Sequence, residues 1–227
     1  MARTLNLAVH TVRREAFVEA AQRLMQARGW ERVSIQDVID EVEASRGAFY
    51  HYFDSKQALL EAVIDRMVEA GLTEAAPVVE DRSLSAPVKL QRVFGAIGRW
   101  KTAQKALVLR LLEVWLSDHN AIVREHFRRR MVGRLSDMLE PIVEQGVREG
   151  EFHVDSAPET ARVIVMLLQG LQESATELFL DRQAGRITLG DVEQSFATFS
   201  GAFERILGAR AGSIGLVDQA VLRAWFG

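Results

Sequence analysis

"SRGAFYHYFDSK", residues 45–56, sets Phe49, Tyr50, His51, Tyr52 and Phe53 in one unbroken run, with Arg46 and Gly47 before it and Lys56 after. Residues three and four apart share a helical face. A helix here therefore points Phe49, Tyr52 and Phe53 to one side and Arg46, Gly47, Tyr50 and His51 to the other. The first side suits packing on neighbouring helices. The second carries a cation, a phenol, an imidazole and a residue with no side chain, an unusual set for a solvated face. A glycine inside a helix costs about 1 kcal/mol, so Gly47 requires a reason, and close approach of another molecule to the backbone is one.

Working outward, Ser45 caps this short helix, and Glu43-Ala44 makes a tight break before it. The preceding segment reads as a second capped helix: Ser34 at its start, Asp37 three residues on as a capping box, and Ile35, Val38, Ile39 and Val42 at i, i+3, i+4 and i+7. Before that, Phe17, Ala20, Ala21 and Leu24 mark one face of a helix over 12–28, stopped by Gly29. Two capped helices across a short turn form a helix-turn-helix, whose second helix enters the DNA major groove by its N-terminal residues. In that frame Ser45 offers a hydroxyl and first-turn N–H groups to a phosphate, and Arg46 reaches a phosphate or guanine. Gly47 lets the helix sink, Ala48 meets a thymine methyl, and Tyr50 and His51 suit phosphate oxygens. Ser34 and Gln36 face the flanking strand, and Lys56, opening a fourth helix, adds a cation at a helix N-terminus. Arg3, His10, Arg13 and Arg14 suit a DNA-contacting arm, with a solvated tail as the alternative for Arg3 and His10.

The rest of the 227-residue chain bounds the answer. Hydrophobic residues make up 48% and charged residues 26%, enough for a sizeable core. A net charge of −3 excludes a uniformly basic nucleic-acid coat but not a local patch. The absence of cysteine excludes disulfides and thiolate chemistry and suits a reducing cytoplasm. No run of 18 uninterrupted apolar residues reads as a membrane span, and the N-terminus has no usable signal core. No catalytic triad, paired carboxylates or phosphate loop stands out, so an enzyme is not expected, and no cofactor or metal is either. His119 and His126, seven apart, lack the i, i+4 spacing of a metal pair.

Residues 12–64 resemble the DNA-binding domain of the TetR family of bacterial transcription regulators. The matching pieces are Ala20-Ala21 with Leu24, Gly29-Trp30, Val33-Ser34-Ile35, Asp37-Val38, Ser45-Arg46-Gly47, Phe49 to Phe53, Ser55-Lys56 and Leu59-Leu60. The chain departs from the family where Glu43-Ala44 replaces a common Gly-Val in the turn, which puts a non-glycine residue where a left-handed backbone is expected. Ala48 and Val42 also differ from the common residues. The resemblance implies an all-α protein with a three-helix DNA-binding domain over 10–56 and a helical ligand-binding and dimerisation domain over 57–227. It further implies a homodimeric repressor on a palindromic operator, released by a small-molecule effector.

Helical periodicity predicts further helices from Asp54 or Ser55 to about Gly71 and near 87–103, 105–117, 119–149, 157–182, 190–208 and 216–225, with a loop over 72–86. A stripe of large residues runs through them. Phe94, Trp100, Leu111, Trp115, Met131, Met138 and Met166, with polar Gln169, read either as an apolar ligand pocket or as ordinary core. Helices 157–182 and 190–208 are apolar around much of their circumference, through Ala161, Val165 and Leu168 on one and Phe196, Phe199 and Phe203 on the other. They resemble the family's dimer-forming pair; the competing reading is that both lie in the interior.

Overall fold

A computed structural model describes residues 2–117 and 120–227, and of residues 2–9 the backbone alone. His119 thus lies outside the described residues, as does the Arg3 side chain. Among the described residues there is no strand. The helices are α1 (Ala2–Arg28), α2 (Ile35–Glu41), α3 (Arg46–Tyr52), α4 (Lys56–Glu80), α5 (Ala86–Ala103), α6 (Lys105–Leu116), α7 (Ala121–Glu149), α8 (Ala157–Gln183), α9 (Leu189–Leu207) and α10 (Gln219–Phe226). A single 3₁₀ turn, Trp30–Arg32, joins α1 to α2.

The chain divides into two compact units, Met1–Val68 with Gln104–Phe127, and Glu69–Ala103 with Arg128–Gly227. The first unit therefore holds more than the motif residues 10–56. It adds the opening turns of α4, all of α6 and the start of α7.

The expected loop over 72–86 is corrected. Helix α4 continues through Pro77 to Glu80, leaving only residues 81–85 between it and α5. Proline inside a helix removes one backbone hydrogen bond. Here Leu72 and Ala75 are buried and keep the apolar face in phase across the site, so packing outweighs the local preference. Helix α1 likewise begins ten residues before the sequence pattern starts it.

In the first unit the core is aromatic at one end and aliphatic at the other. Phe17 of α1 is 1% exposed and meets Phe49 of α3 edge to face at 5.6 Å, with Phe53 at 6.4 Å. Val18, Ala21, Val38, Leu59 and Val63 are buried in the same unit. The unit's rim is laced by ion pairs: Arg23 with Glu41 at 3.3 Å, Arg28 with Asp37 at 2.9 Å, and Arg66 with Glu15 and Glu19 at 3.2 and 2.8 Å.

In the second unit Leu90, Val93, Leu139, Ile142, Ile164, Phe203 and Leu207 make the core. The elbow between α7 and α8 is fixed by Phe152, which lies against the backbone of Gly146; a Cβ there would fall 2.0 Å from the ring. Helix α10 packs its Leu222 and Phe226 on Val192, Phe179 and Phe196. The buried side of α8 carries Ala161, Ile164, Val165 and Leu171. Its other side leaves Val163 45% and Met166 56% exposed, and a Cβ at Gly170 would meet nothing within 4 Å. Ala161 and Val165 thus face inward, and the uncovered apolar strip is rotated from the one the sequence marks. Helix α8 is also long and apolar enough to cross a membrane by length and composition, with only 17% of its apolar window buried.

Candidate nucleic-acid interface

The turn between α2 and α3 is closed by hydrogen bonds from Glu43 N to Asp40 O at 3.1 Å and from Ala44 N to Ile39 O at 3.0 Å. Glu43 takes the left-handed conformation, φ 52°, the one described non-glycine residue with positive φ. An L side chain there costs about 1–2 kcal/mol. Glu43→Gly is therefore expected to stabilise the protein by roughly 1 kcal/mol once the added chain entropy of glycine is deducted. Denaturant melts check this, and a midpoint that stays put or falls would show the turn to be unstrained.

Both helices of the motif are capped by serine. The Ser34 hydroxyl accepts from Asp37 N at 3.1 Å and donates to Asp37 Oδ2 at 2.6 Å. The Ser34 hydroxyl and amide, both donating to Asp37 Oδ2, together with Arg28 hold the Asp37 carboxyl down to about 2. Ser45 Oγ accepts from Ala48 N at 3.1 Å. These hydroxyls set where each helix begins and so where its outer edge points.

Helix α3 sorts its residues by phase. Phe49 is fully buried, Tyr52 half-buried and Phe53, just past the helix end, 3% exposed. Arg46, Gly47, Tyr50 and His51 are exposed, Tyr50 to 44%. A Cβ at Gly47 would find only Ser45 Oγ, 3.9 Å away. Internal packing places no demand for glycine at this position, so its missing side chain leaves room on the outside. Arg46 makes no ion pair with any described residue. His51 stacks edge-on with His10 of α1 at 5.4 Å, and His10 meets Tyr52 at 4.6 Å, which brings His10 to the same edge. Arg13 is exposed beside it, whereas Arg14 sits over the Phe53 ring at 5.0 Å.

Other expected contact residues are held inside the protein's own network. Lys56 donates to the carbonyl of Trp30 at 2.9 Å and lies over that ring at 4.9 Å; burial pushes its ammonium below the usual lysine range. Its remaining donors can still reach outward, but it is a brace between α4 and the 3₁₀ turn before it is anything else. Gln36 is exposed and donates to Asp40 at 2.8 Å. Ala48 is half-buried behind the cap. Sequence reading missed the Trp30–Lys56 brace, since nothing local links residues 26 apart.

The expected ligand residues divide between the two units. Leu111 and Trp115 belong to the first unit, where Trp115 stacks edge-on with Phe127 at 5.0 Å. In the second unit Phe94 packs on Phe203 at 5.9 Å as plain core, and Trp100 lies against Gly71. Gln169 donates to the Arg128 carbonyl at 3.0 Å, Met131 and Met138 are half-buried, and Met166 points to the outside. A cavity of about 380 Å³ near His153 and Val163, and another of about 470 Å³ near Lys89 and Ile142, are lined by none of these eight. His126 sits 3.3 Å from Asp65 and 3.9 Å from Glu61. No group of three metal-ligating side chains is assembled among the described residues.

Comparison with known proteins falls on this same surface. Residues 17–63 match the family model described as bacterial regulatory proteins, tetR family. A 56-residue stretch is 39% identical to an uncharacterised HTH-type transcriptional regulator of Lactococcus lactis, covering 25% of this chain and 29% of that one. The HTH-type transcriptional repressor DhaR of Mycobacterium sp. (strain GP1) is 27% identical over 146 residues, 64% of this chain and 73% of that protein. The fold is shared with a crystal structure of a TetR transcription regulator from Haloarcula marismortui, at TM-score 0.60 and 21% identity, covering 87% of this chain and 97% of that one.

Proposed function

We propose that the chain, whose residues 17–63 match the model of the tetR family of bacterial regulatory proteins, is a repressor that binds a palindromic operator as a homodimer and leaves it when a small-molecule effector binds. The division of labour runs along the chain: residues 10–56 hold the DNA, and residues 57–227 dimerise and take the effector. The observation that carries the DNA half is the outer edge of α3. It combines a guanidinium at Arg46 that pairs with none of the described residues, open space around Gly47 and a phenol at Tyr50 that is 44% exposed, all mounted on a fully buried Phe49. Arginine at the start of a recognition helix and hydroxyls beside it suit guanine and phosphate. An architectural DNA protein would need a broader basic field, and here Arg14, Arg23, Arg28 and Arg66 already face acids of the same unit. The test is a gel shift on the DNA upstream of the protein's own gene against random competitor. A shift that the competitor removes equally well would refute sequence-specific regulation.

Support for the dimer comes from the uncovered strip of α8, Val163, Met166 and the open flank of Gly170, with half-exposed Phe199 on α9. An apolar face of this length needs a partner, and a two-fold contact supplies an identical one. It accounts for the apolar length of α8 without a bilayer. Val163→Asp combined with Met166→Glu is expected to yield a monomer in sedimentation or light scattering and to weaken operator binding by roughly a hundredfold, the avidity of two joined modules. A variant that stays dimeric would move the interface elsewhere.

A further inference from the structure

The cavity of about 470 Å³ in the second unit lies at the end of α4, the start of α5 and the end of α7. It shares no residue with the expected ligand stripe. One wall is apolar, from Val79, Pro141 and Ile142. The rest is cationic, from Arg82, Lys89 and Arg148, beside the Gln145 amide, with Glu80 the one carboxylate in the lining. Lys89 is 5% exposed, and its ammonium donates to the Val79 carbonyl at 2.6 Å. An ammonium carries three donors, and among the described residues no carboxylate pairs with this one. Asp81 and Glu149 feel its charge without pairing with it directly. Arg82, exposed at the rim, forms no bond with any described residue.

The acids nearby are engaged elsewhere. Asp81 accepts from the Ser83 amide and hydroxyl at 2.9 and 2.6 Å, and Glu149 accepts from Ala86 N and Gln145 Nε2 at 2.8 and 2.6 Å. Burial raises the Glu149 carboxyl, but those bonds, with Lys89 close by, outweigh it and hold both carboxyls below their usual range. Glu144 lies 3.7 Å from Arg148, an exposed pair that contributes little. The lining is thus complementary to a molecule with one anionic end and one apolar end, and the volume is that of a small-ligand site.

We propose that this cavity binds an aliphatic carboxylate, its head group held by Lys89, Arg82 and Arg148 and its chain laid on Val79, Pro141 and Ile142. The proposal is independent of the DNA-binding reading, and its test uses the full-length protein without DNA. Isothermal titration is made with octanoate, octanol and inorganic phosphate in parallel. Octanoate is expected to bind saturably, and the other two to bind at least about tenfold more weakly, since each lacks one half of the complementarity. Lys89 also caps the end of α4, so its removal can disturb folding. The deciding variant is Arg82→Gln with Arg148→Gln, both exposed, which is expected to weaken octanoate about tenfold or more with the melting temperature of the free protein unchanged. Octanoate binding that is absent, matched by octanol or phosphate, or indifferent to the double variant would overturn the assignment.

Discussion

Phe49→Ala is expected to destabilise the protein by about 3–5 kcal/mol, the loss typical of truncating a buried phenylalanine. Helix α3 has seven residues, too short to persist without tertiary support. What holds it is the Phe49 ring, wedged edge to face on Phe17 at 5.6 Å and beside Phe53 at 5.8 Å. Domains of this kind have roughly 5–15 kcal/mol in hand, so the loss removes a large part of the margin. Urea denaturation of the wild type, Phe49→Leu and Phe49→Ala measures it, with leucine falling between the other two. A loss under about 1 kcal/mol for alanine would mean that α3 is held by something other than its aromatic side.

Gly47→Glu is expected to do the reverse: leave the fold alone and abolish DNA binding. The site is exposed, helical and free of contacts except Ser45 Oγ at 3.9 Å. Replacing glycine in a helix gains up to about 1 kcal/mol, so the melting temperature should hold or rise. On DNA, the new side chain occupies the gap through which α3 approaches the groove and sets a carboxylate among phosphates. Operator affinity should fall by more than roughly a hundredfold, equivalent to losing two good contacts. Gly47→Ala separates bulk from charge and should sit in between. The pair of variants at 47 and 49 thus distinguishes residues that build the helix from those that use it. Full affinity in Gly47→Glu would place the DNA on another face.

Much of this was legible in the sequence because the signals are local. The 3.6-residue phase of residues 46–53 sorts inner from outer side chains before any coordinates, and the capping serines at 34 and 45 fix the helix starts. The left-handed turn residue was readable too, through the resemblance, since the family commonly carries glycine where Glu43 stands. The errors have a common cause in non-local packing. Proline at 77 reads as a breaker, but burial of Leu72 and Ala75 carries α4 across it. Lys56 reads as a free cation at a helix start, yet its partner is a carbonyl 26 residues away. A stripe of large side chains cannot say which members enclose space: Phe94 is core, Met166 faces out, and a cavity with cationic walls forms around Lys89, which no periodicity marks.

The most direct measurement is competition fluorescence anisotropy on the DNA upstream of the protein's own gene, comparing the wild type with Arg46→Ala/Tyr50→Ala. Both side chains are exposed on α3, so the variant should melt as the wild type does. Specific binding should drop by roughly a hundredfold or more, while the weak binding to random DNA changes far less, because base-edge contacts carry the discrimination. A double variant that still prefers the upstream DNA as strongly as the wild type would contradict the assignment of the outer edge of α3 as the reading surface.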